Sequence, residues 1–169
     1  TIDRQLGDAE AAELKFKAAL PVLEDFGMFH YLRYTLCNLG ELCLATGRFT
    51  DALAWFEDVK KTALRKFDYP YVACGLIGIA ESYLGLGDRD LAEQHAHEAA
   101  DVAGRLGDTV ELGMAHRVLG QVAAAREDRA EARRFFESAE RILSELEEIE
   151  ELAKVRAERE KLRDTGGTG

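Results

Sequence analysis

The chain has 169 residues, with 22 Lys plus Arg against 32 Asp plus Glu, a net charge of −10, two Pro and three Cys. That length suits one ordinary domain, and the acidic balance argues against nucleic acid as a partner, because binding a phosphate backbone needs Lys and Arg to displace counterions. The longest uncharged apolar run, Tyr71 to Ala80, is half of the roughly 20 residues that cross a bilayer, so no membrane role and a soluble, cytoplasmic protein are expected.

In chain order, residues 1–6 read as the tail of a helix that begins upstream, and with no initiator Met the expectation is a piece of a longer protein. Gly7 and Asp8 read as a break, followed by a helix carrying Ala12, Phe16 and Ala19. Segments beginning at Leu36, Leu76 and His116 then overlay with an offset of 40 residues. The first holds Leu39, Gly40, Cys43, Gly47, Ala52, Phe56 and Val59. The second holds Ile79, Ala80, Tyr83, Gly87, Ala92, Ala96 and Ala99, and the third Leu119, Gly120, Ala123, Glu127, Ala132, Phe136 and Ala139.

Within each unit the apolar residues recur at three and four, the period of an amphipathic helix, in two stretches parted by a short break. Each unit is therefore a predicted helical hairpin. Gly47 and Gly87 stand where the first helix must stop, and Asp8, Asp88 and Asp128 stand where the second must be capped, Asp128 with Glu131 as a capping box. Arg48 has no acceptor to offer, so Thr50 is expected to cap in its place. Asp68-Tyr69-Pro70 and Gly107-Asp108-Thr109 end one unit and start the next, with Pro70 suited to a first helical turn. Gly40, Ala80 and Gly120 share one position in the first helix and Ala52, Ala92 and Ala132 one in the second, where small side chains allow close approach. One hairpin cannot bury its apolar face alone, so stacking makes the core.

The resulting division is a single domain over 1–163, with a partial repeat at 1–27, repeats near 28–67, 68–107 and 108–147, a capping helix at 148–163 and a flexible tail at 164–169. Glu145, Glu147, Glu148, Glu150 and Glu151 crowd the last helix, and Leu146, Ile149, Leu152 and Ala153 are its expected apolar contacts. A solubilising cap over the last repeat is the favoured reading; an acidic docking helix is the alternative.

The Leu-Gly pair, the small or aromatic residue three later, and the Ala, aromatic, Ala series of the second helix resemble the tetratricopeptide repeat over about residues 5–145. The spacing of 40 resembles the longer variety found in Pins/LGN-type adaptors, kinesin light chains and bacterial signalling regulators. His116, Ala96 and Glu127 depart from the pattern. The resemblance implies an all-α, right-handed superhelical solenoid of antiparallel helix pairs with a C-terminal capping helix, and a concave groove lined by the first helix of each pair. It places the groove at Tyr34, Cys37, Asn38, Glu41 and Leu44 in unit one, at Cys74, Ile77, Gly78, Glu81 and Leu84 in unit two, and at Met114, Arg117, Val118, Gln121 and Ala124 in unit three, with His30 and Tyr31 beside the same wall. Chaperone-binding members clamp a terminal carboxylate with Lys and Asn; Cys37, Glu41 and Cys74 stand in those places here, so no such clamp is expected.

No catalytic, metal or cofactor site is expected. His95 and His97 are two apart, so they point in different directions along a helix and read as surface residues. His116 reads as a satisfied core histidine. Cys37, Cys43 and Cys74 lack the spacing of a disulfide scaffold or zinc site; Cys37 and Cys74 are expected as near neighbours across adjacent units, more readily small semi-buried hydrophobes than a redox pair. The expected function is a protein-interaction scaffold, not an enzyme, in which a mixed apolar and weakly acidic groove takes a peptide or helix of a partner, inside a larger regulatory or signalling protein. A structural or self-associating spacer array and a small-metabolite sensor domain are the alternatives.

Overall fold

The computed structural model describes residues 2–107 and 109–164, with the side chains of 9–107 and 109–163. These residues form eight α-helices and no strand: α1 Ile2–Asp25, α2 Phe29–Ala45, α3 Phe49–Leu64, α4 Tyr69–Leu86, α5 Arg89–Gly104, α6 Val110–Ala125, α7 Arg129–Glu145 and α8 Ile149–Asp164. The start signal at Asp108, the side chain of Asp8 and the tail beyond 164 lie outside the described residues. Gly7 does not break α1, which runs through it as one helix. A single Gly costs a helix only about 1 kcal/mol against Ala, and the Ala, Glu, Leu and Lys residues that follow are strong helix formers.

Each helix packs on the next in the chain, and α2, α4, α6 and α8 also meet one another in series, whereas α1, α3, α5 and α7 do not. The even-numbered helices therefore form the tight inner layer and the odd-numbered ones the splayed outer layer, which curves the stack. The seven turns share one device. Gly27, Gly47, Phe67, Gly87, Gly107, Glu127 and Glu147, spaced twenty residues apart, all have positive φ. At Gly47, Phe67, Gly87, Glu127 and Glu147 the amide bonds the carbonyl three back and the next amide the carbonyl five back, as in Arg48 N–H to Cys43 at 2.8 Å and Asp128 N–H to Ala123 at 3.0 Å. That paired closure satisfies the last free carbonyls of a helix. Glu127 thus keeps the geometry of the glycine it replaces.

Starts of helices are less uniform. Asp88, Thr109 and Asp128 accept hydrogen bonds from the amides of Leu91, Leu112 and Glu131 at 3.0, 3.2 and 3.0 Å. Asp68 makes no cap, its carboxylate being bound by Arg33, and Arg48 leaves α3 without a side-chain cap. Thr50 lies inside α3 and does not take over. Arg48 instead grips Glu13 of α1 through both nitrogens, at 2.6 and 3.2 Å, and its hydrogen bonds, with those of Lys17, bring the Glu13 carboxyl down to about 2.

The small residues accommodate rings. A Cβ on Gly40 would fall 2.6 Å from the Phe56 ring, one on Gly78 2.2 Å from the same ring, and one on Gly120 2.6 Å from Phe136. Phe56 is therefore held between the first helix of its own unit and that of the next. In the second unit the sizes are exchanged: Ala96 is the small residue, and Val118, at the position of Gly78, shares its buried cluster. On α8 the buried apolar contacts are Val155 and, in part, Leu152 and Leu162. Leu146, Ala153 and Ile149, the last 81% exposed, do not serve as expected, because α8 leans on α7 through Arg156 and Arg159, both bound to Glu140.

Candidate functional site

The inner faces of α2, α4 and α6 form a concave groove, and α8 closes its C-terminal side. The space is about 650 Å³, with Tyr34, Asn38 and Glu41 on α2, Tyr71 and Cys74 on α4, Glu111 and Met114 on α6, and Glu148, Glu150, Glu151 and Lys154 at the start of α8. The repeat explains the arrangement. Tyr31, Tyr71, Glu111 and Glu151 stand 40 residues apart, as do Tyr34, Cys74, Met114 and Lys154, so each row crosses the groove from helix to helix.

Several expected wall residues are in place. Tyr31 and Tyr34 are each 57% exposed, and His30 meets the rings of Tyr31 and Tyr71 edge-on at 5.7 Å. Asn38 donates to the carbonyl of Tyr34 at 2.7 Å. Gln121 donates to Glu158 of α8 at 3.2 Å. Cys37 and Cys74 place their sulfurs 3.4 Å apart across α2 and α4, and that contact, followed by burial, pushes the Cys37 thiol well above the ordinary range.

Others are elsewhere. Ile77, 2% exposed, belongs to the core between units two and three, because the curvature turns its position inward. Arg117, 6% exposed, is no free cation: it donates to Glu81 of α4 at 2.6 Å and lies 3.4 Å from Glu151 of α8. Burial works against its charge, but the two carboxylates outweigh it and keep the guanidinium protonated. The trio joins three inner helices. A second buried cation, Arg33, binds Asp68 and lies 5.0 Å over the Tyr71 ring, fixing that tyrosine at the wall.

With Arg117 neutralised, the groove is more acidic than its three first helices suggest. Glu41 stays exposed, yet its carboxyl is held above the usual carboxylate range, first by lost hydration and then by Glu81, Glu151 and Glu150, with Lys154 opposing. Lys154 is itself engaged by Glu151 at 2.6 Å and Glu150 at 3.3 Å. Tyr71, Glu111 and the α8 carboxylates were not among the expected wall residues. Stepping Tyr31 forward by the repeat would have reached all but Glu148 and Glu150, had the last helix been treated as an inner helix and not only a cap.

The histidines form no such site. His95 is stacked on Tyr83 at 5.5 Å, half-buried and not on the open surface. His97 is exposed and meets the edge of Phe135 at 6.2 Å. His116 shares a hydrogen bond of 2.9 Å with Ser138. No group of three or more His, Cys, Asp or Glu among the described residues is placed to hold a metal ion, and none of the described helices is long and apolar enough to cross a membrane.

Comparison with known proteins supplies the family. Two tetratricopeptide repeat models match residues 34–58 and 71–145, together more than half of the chain. The crystal structure of BtubC (BKLC) from P. vanneervenii is similar with a TM-score of 0.70 at 16% identity, over 99% of this chain and 68% of that one. The de novo designed helical repeat protein DHR81 is similar with a TM-score of 0.50 at 16% identity, over 96% and 91%. No curated protein matches the sequence significantly. With repeat models over most of its hairpins and the solenoid fold over nearly all its length, the chain belongs to the tetratricopeptide repeat family, whose repeats generally mediate protein–protein interaction.

Proposed function

We propose that this chain is a recognition module that takes a peptide or helical segment of a partner protein along its concave groove, within a larger regulatory or signalling protein. The observation that carries the reading is the chemistry of that groove: Tyr34, Tyr71 and Met114 offer apolar contact, and Glu41, Glu111, Glu148 and Glu150 surround them with carboxylate against the single Lys154. A segment with apolar anchors and a Lys or Arg flank complements both. The inner helices are already packed, so the partner bears most of the ordering entropy. Catalysis and small-metabolite sensing are less well served, because the polar groups that do converge, Arg117 with Glu81 and Glu151, neutralise one another as ion pairs.

A displayed peptide library selected on the folded chain tests this. Enriched sequences are expected to combine large apolar residues with Lys or Arg, and the double variant Tyr34→Ala with Met114→Ala should weaken their binding at least tenfold while circular dichroism stays unchanged. Arg117 is unsuitable as a probe, since its loss would disturb the packing. Selection of acidic or unrelated sequences, or equal binding by the double variant, would move the site off the groove. The spacer reading retains one observation in its favour, the outer face of α1, where Leu14 is 70% and Val22 52% exposed; light scattering over a concentration series would reveal self-association through it.

A further inference from the structure

We propose that Cys37 and Cys74 are a dithiol redox site, oxidised by low-molecular-weight disulfides to a bond that staples α2 to α4 at the floor of the groove. Their sulfurs are 3.4 Å apart, so a bond of about 2.0 Å requires them to close by little more than an ångström. The two thiols differ in access. Both line the groove, but Cys74 is half-buried whereas Cys37 is only 6% exposed. Cys74 is therefore the thiol that a reagent meets first, and the more deeply buried Cys37 is the one placed to resolve the adduct. Cys43, fully buried and nearly two helical turns from Cys37, has no such sulfur contact and takes no part.

A charge is also placed to assist. Arg33 lies one helical turn before Cys37, is 5% exposed, and leaves Nε and Nη1 without a hydrogen-bond partner while Nη2 holds Asp68. Its field favours a thiolate at Cys37, against the larger opposition of the Cys74 contact, burial and Glu41. Thiolates, not thiols, carry out the exchange.

The chemistry proceeds in two exchanges. The Cys74 thiolate attacks one sulfur of a disulfide such as oxidised glutathione; that S–S bond breaks, a mixed disulfide forms at Cys74, and the released thiolate takes up a proton. Cys37 then loses its proton to water and attacks Cys74 Sγ, forming the internal bond and expelling the second thiolate. Two protein thiols are oxidised, and one small disulfide is reduced to two thiols.

The folded chain, incubated with oxidised glutathione, quenched with an alkylating reagent and weighed intact, tests the assignment without reference to any partner. The wild type is expected to lose two hydrogens, yield a peptide linking Cys37 to Cys74, alkylate Cys43 only after unfolding, and recover fully with dithiothreitol. Cys37→Ser and Cys37→Ala should both stop at the glutathione adduct on Cys74, and Cys74→Ser should stay unmodified. A wild type that remains reduced, that accumulates the Cys74 adduct without closing, or that links through Cys43 would overturn the proposal.

Discussion

Phe67, Glu127 and Glu147 occupy positive φ, at 55°, 65° and 57°, where four other turns of the same series use glycine. A side chain there crowds the following carbonyl and costs roughly 1–2 kcal/mol. The paired hydrogen bonds of each turn hold these residues in place, so the cost falls on stability and not on register. Glu127→Gly and Glu147→Gly are each expected to raise the free energy of unfolding by about 1 kcal/mol, read as a higher urea midpoint with unchanged slope. Unchanged or lower midpoints would mean that the glutamates make compensating contacts. The glycines of the inner helices respond to a different constraint. Gly40, Gly78 and Gly120 leave room for an aromatic ring, and their φ is ordinary.

At the scale of elements, the last helix has two roles. Val155 and Leu152 cover the third hairpin, while Glu151 reaches back to Arg117 and the first turn of α8 edges the groove. The Glu81–Arg117–Glu151 trio therefore ties α4, α6 and α8 together. Breaking a buried pair leaves an uncompensated charge at a cost of about 3–5 kcal/mol, whereas a well-packed apolar replacement is often much better tolerated. Arg117→Ala is expected to fall in that range, and a triple change to Arg117→Met, Glu81→Gln and Glu151→Gln to recover most of the loss, both measured by chemical denaturation. Equal loss in the two variants would show that the trio contributes more than charge neutralisation.

Over the whole molecule, the net charge of −10 is not only a surface property. Part of it gathers inside the curve of the stack, where Glu41 is raised by lost hydration and by the carboxylates of units two and α8. Because the folded state holds the Glu41 proton more tightly than the unfolded chain does, the contribution of this residue is fully present below the ordinary carboxylate pKa and is lost as pH rises through its raised value. Glu41→Gln should thus stabilise the fold at neutral pH and lose that advantage below about pH 4. A pH series of denaturation midpoints checks this; a constant difference would mean that the amide acts through packing. A cationic partner segment would act in the same direction as the proton.

The amino-acid sequence by itself determined the repeat, the helical hairpins, the turns near residues 47, 67, 87, 107 and 127 and many residues of the apolar core, because each depends on spacing along one or two adjacent helices. Even the exchange of Phe for Ala at position 96 had its complement, Val118, within one repeat step. What the tertiary structure alone decided is the chemistry of the concave face. Arg117 and Ile77 read as wall residues by register, yet curvature of the inner helices buries them. The first turn of α8 reads as a cap, yet the same curvature brings its carboxylates to the groove. Cys37 and Cys74 read as neighbours, but only the packing of α2 on α4 sets 3.4 Å between their sulfurs and leaves Cys74 half-buried and Cys37 more deeply so. The reason is common to all three: periodicity specifies which side of a helix meets its neighbour, while the depth of a residue and its charge partner depend on how far the stack bends.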